Sequence, residues 1–229
     1  LDPEEFQVDR EGVAMLLDSV VSQGRTQLTE AEALQVFDAY GVPTIPHRIA
    51  RSEEEALDTA RELGYPVVLK ILSSDLVHKS DLGGVKVDLR SDREVVEAYR
   101  SILSSVGKTR EGIHIDGVLV ESFQKGGREV IIGMSTDPRF GPILMFGLGG
   151  VYVEALKDVV FRVHPVTKTD AVDMIHAIRG FPILQGVRGE AGADLETLTE
   201  VIQRISQLVG DHDRIQELDV NPFIILESG

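Results

Sequence analysis

Three capping boxes punctuate the first half of this chain and constrain its fold more than any other feature. Thr29-x-x-Glu32, Ser52-x-x-Glu55 and Ser91-x-x-Glu94 each pair a hydroxyl with a carboxylate three residues on, the pattern that satisfies orphan N–H groups at a helix start. Each opens an apolar-periodic segment. The first predicted helix runs to about Tyr40 and stops at Gly41-Val42-Pro43. The second carries Ala56, Leu57, Ala60 and Leu63 and stops at Gly64-Tyr65-Pro66. The third carries Val95, Ala98, Tyr99, Ile102 and Val106. Between them lie the β-type runs 67–72 and 85–89, so this half reads as alternating strand and helix, an α/β or α+β lobe.

The character changes after Gly117. Runs at 118–123, 129–135, 142–146 and 159–163 follow one another, broken by Gly126-Gly127, Asp137-Pro138 and Gly147-Leu148-Gly149-Gly150, which suggests an antiparallel sheet. Helical periodicity returns at 170–178 and 194–209, before a final strand at 216–226. The expected organisation is a leading helix at 13–21 within a linker of residues 1–27, a small lobe at 28–115 and a larger lobe at 116–229, with the boundary near 113–117. The start, Leu1-Asp2-Pro3 without Met, suggests a chain trimmed there or cut from a longer polypeptide.

Composition excludes several classes of function. With 229 residues, 42% of them hydrophobic, the chain can bury a substantial core. A formal net charge of -15 argues against nucleic acid or an anionic membrane as partner, so any phosphate ligand must be held locally. There is no cysteine, which removes disulfides, thiolate metal sites and cysteine nucleophiles and fits a reducing cytoplasm. No apolar run reaches the ~20 residues of a membrane span, and no signal peptide opens the sequence.

Several motifs are hard to explain as packing. In Val67-Val68-Leu69-Lys70-Ile71-Leu72 one lysine interrupts an apolar strand, sharing a face with Val68 and Leu72. A buried ammonium needs an anion, and the plain alternative is a lysine that snorkels to water. The strand leads into His78-Lys79-Ser80-Asp81-Leu82-Gly83-Gly84, which favours a phosphate ligand for Lys70. At Glu121-Ser122-Phe123 and Glu129 two strands flank a glycine turn, either a plain hairpin with solvated acids or a nucleoside site. The second reading sets an adenine against the backbone near Ser122 and Phe123, with Glu129 accepting from ribose hydroxyls. The terminal run Glu217-Leu218-Asp219-Val220-Asn221-Pro222-Phe223 puts Glu217, Asp219 and Asn221 on one face, roughly 6.5 to 7 Å apart. That is a surface for Mg²⁺, which takes a few protein oxygens and keeps waters and substrate phosphates for the rest.

Two look-alikes are rejected. Gly107-Lys108-Thr109 lacks the leading glycine of a phosphate loop and follows a helix, so it reads as a helix end. Gly147-Leu148-Gly149-Gly150 has Tyr152 where a dinucleotide fingerprint needs its last glycine, but Gly149 and Gly150 still look like backbone meant to approach a ligand closely. Of six histidines, His47, His114, His164, His176 and His212 read as surface or core residues. His78 differs by its polar, glycine-flanked loop.

Together these features resemble the ATP-grasp fold. More closely, Val68-Leu69-Lys70, the His78–Gly84 loop, Phe146-Gly147-Leu148-Gly149-Gly150, Lys157-Asp158-Val159-Val160-Phe161-Arg162 and Glu217 to Phe223 are similar to the nucleotide-binding (β) subunit or domain of ADP-forming acetyl-CoA synthetases, over about residues 28–226. The resemblance implies two α/β lobes with the nucleotide between them, ATP or ADP and Mg²⁺ as cofactors, and interconversion of acyl-CoA, ADP and phosphate with free acid, CoA and ATP. Carried over residue by residue, it implies phosphate binding by Lys70 and Lys79, nucleoside contacts at Glu121, Ser122, Phe123 and Glu129, backbone contact at Gly149 and Gly150, and metal binding by Asp219 and Asn221. His78 would carry the phosphoryl group, with Asp219 the other catalytic residue. A CoA-binding α subunit or fused upstream domain is the implied partner, giving a hetero-oligomer. The resemblance also implies a further strand with another aspartate, which a chain ending at Glu227-Ser228-Gly229 does not contain.

Two other readings compete. A regulatory ATP-grasp module fused to a protein acetyltransferase would keep the fold without the chemistry, and the presence of His78, Lys70 and Asp219 favours the enzyme. A free-standing carboxylate-amine ligase would need an acceptor domain, and only about 28 residues precede the first capping box.

Overall fold

The structure, a computed structural model, describes residues 2–76, 82–109, 113–150, 157–186, 189 and 191–227. Helices α1 (Arg10–Ser22), α2 (Glu30–Ala39), α3 (Glu53–Leu63) and α4 (Asp92–Thr109) are interleaved with strands β1 (His47–Ala50), β2 (Val67–Leu72), β3 (Val85–Leu89) and β4 (Gly117–Ser122). Strands β5 (Arg128–Asp137), β6 (Gly141–Leu148) and β7 (Val159–Val163) follow. Helices α5 (Lys168–Ala177), α6 (Phe181–Leu184) and α7 (Leu195–Asp211) precede the last strand, β8 (Glu217–Ile225).

The capping boxes start their helices as read. At Thr29 the exchange is reciprocal: Thr29 N–H donates to Glu32 Oε2 (2.7 Å) and Glu32 N–H to Thr29 Oγ1 (3.3 Å). At Ser52 and Ser91 the hydroxyl accepts as expected, but the glutamate reaches one residue further back, to the N–H groups of Arg51 and Arg90. A fourth box, Thr167 with Asp170, opens α5. Its aspartate, shorter than a glutamate, hid it from the Glu-based pattern.

Contacts divide the chain into two compact units, Gly12–Asp38 with Pro43–Lys125, and Leu1–Glu11 with Ala39–Val42 and Gly126–Gly229. The first contains a sheet ordered β1-β4-β2-β3, antiparallel in each pairing. One face, carrying Val67, Leu69, Ile71, Val118 and Val120, packs on Ala56 and Ala60 of α3 and on Val95, Tyr99 and Ile102 of α4. The other face sets Leu72 and Leu119 against Ala31 and Leu34 of α2. A strand covered on both sides reads as a continuous apolar run, which is why β2 shows no alternation.

This topology corrects two expectations. β4 is internal to the first sheet, so the boundary read near 113–117 moves to between Lys125 and Gly126. β4 and β5 belong to different sheets, so Gly126-Gly127 joins two units and does not close a hairpin. Strand β1 was not foreseen.

The second unit holds an antiparallel sheet ordered β7-β6-β5-β8. Val130, Ile132, Met134, Leu144, Phe146 and Leu148 are buried on one face, and α5 and α7 pack on this side through β6 and β7. The opposite face carries Glu129, Ile131, Gly133 and Ser135 of β5, because strand side chains alternate. Among the described residues no helix is long and apolar enough to cross a membrane.

Candidate functional site

In the first unit the expected lysine has found its anions. Lys70 Nζ lies 2.7 Å from Glu30 Oε1 and 2.8 Å from Glu121 Oε2. Register explains the second contact: Glu121 of β4 is opposite Val68, on the face that Val68 shares with Lys70, so lysine and glutamate are diagonal neighbours. The first contact comes from α2, whose opening turn carries Glu30 beside the Ala31 and Leu34 positions that meet the sheet. Burial is the largest single influence on the Lys70 ammonium and lowers its pKa, but Glu121 and Glu30 together outweigh it and hold the group above the usual lysine value. Lys70 is therefore charged, a quarter exposed, and flanked by one buried and one partly exposed carboxylate.

Glu30 was missed in the sequence. Its capping box marks where α2 begins but not which residue of the first turn meets β2, because that depends on how the helix lies on the sheet. At the end of β4 the backbone is less free than anticipated. Ser122 N–H donates to Pro46 O and Phe123 N–H to Pro66 O, both at 3.0 Å, so a base meeting this segment finds those two donors occupied. His78 and Lys79 lie outside the described residues.

In the second unit the structure brings together Glu129, Gly149 and Gly150. Gly149 N–H donates to Glu129 O at 2.8 Å. A Cβ on Gly149 would come within 3.0 Å of Glu129 Cβ, and one on Gly150, at φ +61°, within 2.9 Å of Glu129 Oε2. The close approach that these glycines permit in the structure is to Glu129 of the β5 strand.

The terminal strand alternates as read: Glu217, Asp219 and Asn221 are exposed, with Leu218 and Val220 half-buried between them. Asp219 pairs with Gly133, Gly133 with Met145, and Met145 with Phe161, forming one row across the sheet. The next row runs Glu217, Ser135, Ile143, Val163. This face is acidic at its β8 edge and apolar at its β7 edge, where Phe161 and Val163 are exposed. Glu129 lies on the same face as Gly133, four residues along β5, or roughly 13 Å. The register slips between Val130 and Ile132, leaving β8 one extra residue at Asn221–Pro222.

Among the described residues no group of three or more histidine, aspartate or glutamate side chains is placed to hold a metal. Two exposed oxygen donors, Asp219 and Asn221, still suit Mg²⁺, because that ion binds through one or two carboxylates plus substrate phosphates and water. A calcium-type cage is not present in these residues. Asp158, from the motif preceding β7, is already committed: it accepts from the N–H groups of Arg179 (2.8 Å) and Gly180 (2.6 Å).

The ATP-grasp domain family matches residues 19–229. The β subunit of ADP-forming acetate–CoA ligase I from Pyrococcus furiosus is 45% identical over 88% of this chain and 87% of its own length. The ADP-forming 4-hydroxybutyrate–CoA ligase of Nitrosopumilus maritimus is 46% identical over 98% of this chain but only 32% of its own, so the chain spans about a third of such longer relatives. Among solved structures, acetyl-coenzyme A synthetase 1 of Ca. Korarchaeum cryptofilum in complex with coenzyme A and Ca-AMPCP matches with TM-score 0.90 at 45% identity, covering 93% of each chain. The same enzyme with coenzyme A and Mg-AMPPCP, its phosphohistidine segment pointing towards the nucleotide binding site, matches with TM-score 0.84 at 41% identity, covering 95% of this chain and 94% of that one. The fold is that of an ATP-grasp protein. Within that class, the chain belongs to the family of β subunits and domains of ADP-forming acetyl-CoA synthetases.

Proposed function

We propose that this chain is the nucleotide-binding part of an ADP-forming acyl-CoA synthetase of the acetate–CoA ligase type, working in the cytoplasm with a CoA-binding α subunit or fused domain as a hetero-oligomer. The observation that carries this reading is likeness to a free-standing β subunit across nearly the whole of both chains. The complete enzyme would interconvert acyl-CoA, ADP and phosphate with free acid, CoA and ATP, and the acid-activating chemistry would belong to the partner.

Within this chain the assigned step is phosphoryl transfer between His78 and the nucleotide. In the ATP-forming direction the P–N bond of phosphohistidine breaks, the imidazole nitrogen leaves with the electron pair, and a β-phosphate oxygen of ADP forms the new P–O bond. Lys70 and Lys79 bind phosphate, Glu121, Ser122, Phe123 and Glu129 contact the nucleoside, and Gly149 and Gly150 bring backbone close to it. Asp219 and Asn221 would hold Mg²⁺, which would supply neutralisation of phosphate charge. A carrier histidine suits this division of labour, since reactions on separate domains cannot share one in-line geometry.

The test is reconstitution. The chain alone, given acid, CoA and Mg-ATP, should bind nucleotide and make no acyl-CoA, whereas adding a CoA-binding partner should start turnover. Robust acyl-CoA formation by the isolated chain would overturn the assignment.

A further inference from the structure

Two glutamines one turn apart on α7 meet different fates in the fold. Gln203, Ser206, Gln207 and Gly210 follow the i, i+3, i+4, i+7 spacing of a single helix face. That face lines a cavity of about 300 Å³, bounded elsewhere by Pro3–Glu5 and His164–Val166, all within the unit that holds the β7-β6-β5-β8 sheet. The volume is at the lower end of small-molecule sites, which run from about 300 to 1,000 Å³.

The neighbouring polar groups on these walls are paired. Gln207 makes a two-point contact with the backbone of Phe6, whose N–H donates to Oε1 (2.8 Å) and whose carbonyl accepts from Nε2 (3.1 Å). Ser206 Oγ accepts from Val166 N–H (2.9 Å) and lies 3.0 Å from His164 Nδ1. Gln203 differs. It is 4% exposed, its Nε2 is buried, and among the described residues neither end of its carboxamide forms a hydrogen bond. Exchanging its oxygen and nitrogen therefore satisfies nothing. A buried amide without partners is costly, and native interiors rarely leave one so.

Charge narrows the ligand. No lysine or arginine lines the cavity, and nearby Arg10 is taken up by Glu5 and Asp211, each at 2.8 Å. Glu4 is exposed and makes no ion pair among the described residues. These walls oppose nucleotides, CoA and free acids and favour a positive charge. We infer that the cavity is a second small-molecule site, which takes a small amide carrying a cationic amine. The amide gives Gln203 the two-point pairing that Phe6 gives Gln207, and the ammonium meets Glu4. The cavity is built on α7, on the side of the sheet opposite Glu129 and Asp219, so it rests on neither Lys70 nor Mg²⁺.

The experiment is NMR titration of the parent chain, Gln203→Leu and Glu4→Gln with three probes that share one amide and differ in charge: β-alaninamide, propionamide and succinamate. The parent should bind β-alaninamide saturably, propionamide about three- to tenfold more weakly, and succinamate more weakly still. Gln203→Leu should lose about tenfold in β-alaninamide affinity and keep its Mg-ADP binding. Because it removes a buried amide without partners, it should also melt no lower than the parent. Glu4→Gln, a change at an exposed position, should bring β-alaninamide and propionamide closer together. Parent-like β-alaninamide binding by Gln203→Leu would overturn the inference, as would a parent that binds none of the three probes saturably. A lower Tm for Gln203→Leu would show that ordered water already satisfies the amide, and would overturn it as well.

Discussion

Lys70 shows how one residue can be conspicuous in a sequence while its surroundings stay hidden. A lone lysine in an apolar strand must find an anion or reach water, and the structure supplies two carboxylates. Glu121 could be paired with it only by knowing that β4 lies beside β2, and Glu30 only by knowing which side of α2 meets that sheet. Lys70→Ala should weaken Mg-ADP binding by about ten- to a hundredfold, or about 1.5 to 3 kcal/mol, with or without metal. Asp219→Ala should weaken it chiefly when Mg²⁺ is present, because an exposed carboxylate without its ion has no phosphate to attract. Titrations with Mg²⁺ and with EDTA separate the two, and equal losses in both conditions for Asp219→Ala would count against a metal role.

Two histidines that read as bland prove to sit in polar networks. In the arrangement that satisfies all three groups, His212 Nε2–H donates to Tyr40 Oη, which donates to Asp211 Oδ2, each at 2.9 Å. His164 Nδ1 meets Ser206 Oγ at 3.0 Å. Burial lowers the pKa of both imidazoles below their usual 6.5, with Asp211 pulling weakly the other way. The folded protein then binds fewer protons than the unfolded chain as pH falls through about 6.5, so this contribution is full above that value and declines below it. Tm should therefore be lower at about pH 5.5 than at pH 7.5, and His164→Asn with His212→Asn should narrow the difference. A double variant with an unchanged difference would place the pH sensitivity elsewhere. The partners of these histidines lie some 40 and 170 residues away, which no local pattern can express.

At the scale of elements, local rules worked where the chemistry is local. The capping boxes mark helix starts because their hydrogen bonds close within four residues, and β2 and β3 are bounded as read. Thr29→Ala should cost about 1 kcal/mol in thermal or urea unfolding, since it removes the acceptor for Glu32 N–H. A loss of only a tenth of that would mean that Arg25, which grips both Glu32 oxygens, maintains the turn without the cap. Strand β1 escaped because it has four residues, with His47 and Arg48 among them, and owes its existence to pairing with β4. The glycine loop was legible as a place of close approach but not as to what approaches. Gly149→Ala would press a methyl group against Glu129 backbone and Cβ, and should destabilise by about 1 to 3 kcal/mol while displacing the Glu129 side chain.

For the whole molecule, alternating helices and strands followed by consecutive strands were enough to indicate two α/β units. The division point was misplaced because β4 looks like the first of the consecutive strands and pairs backwards into the first sheet. Each unit presents its own polar site, an ammonium between carboxylates in one and an acid-edged sheet face in the other. Such a division fits a chain that binds a nucleotide and passes its phosphoryl group onward through His78. The most direct measurement is incubation of the parent and His78→Ala with γ-labelled Mg-ATP, followed by acid and base treatment of the separated protein. The account predicts an acid-labile, base-stable label on the parent and none on His78→Ala, with nucleotide binding nearly intact in both. An undiminished label on His78→Ala, or a parent that binds nucleotide and never takes the label, would contradict it.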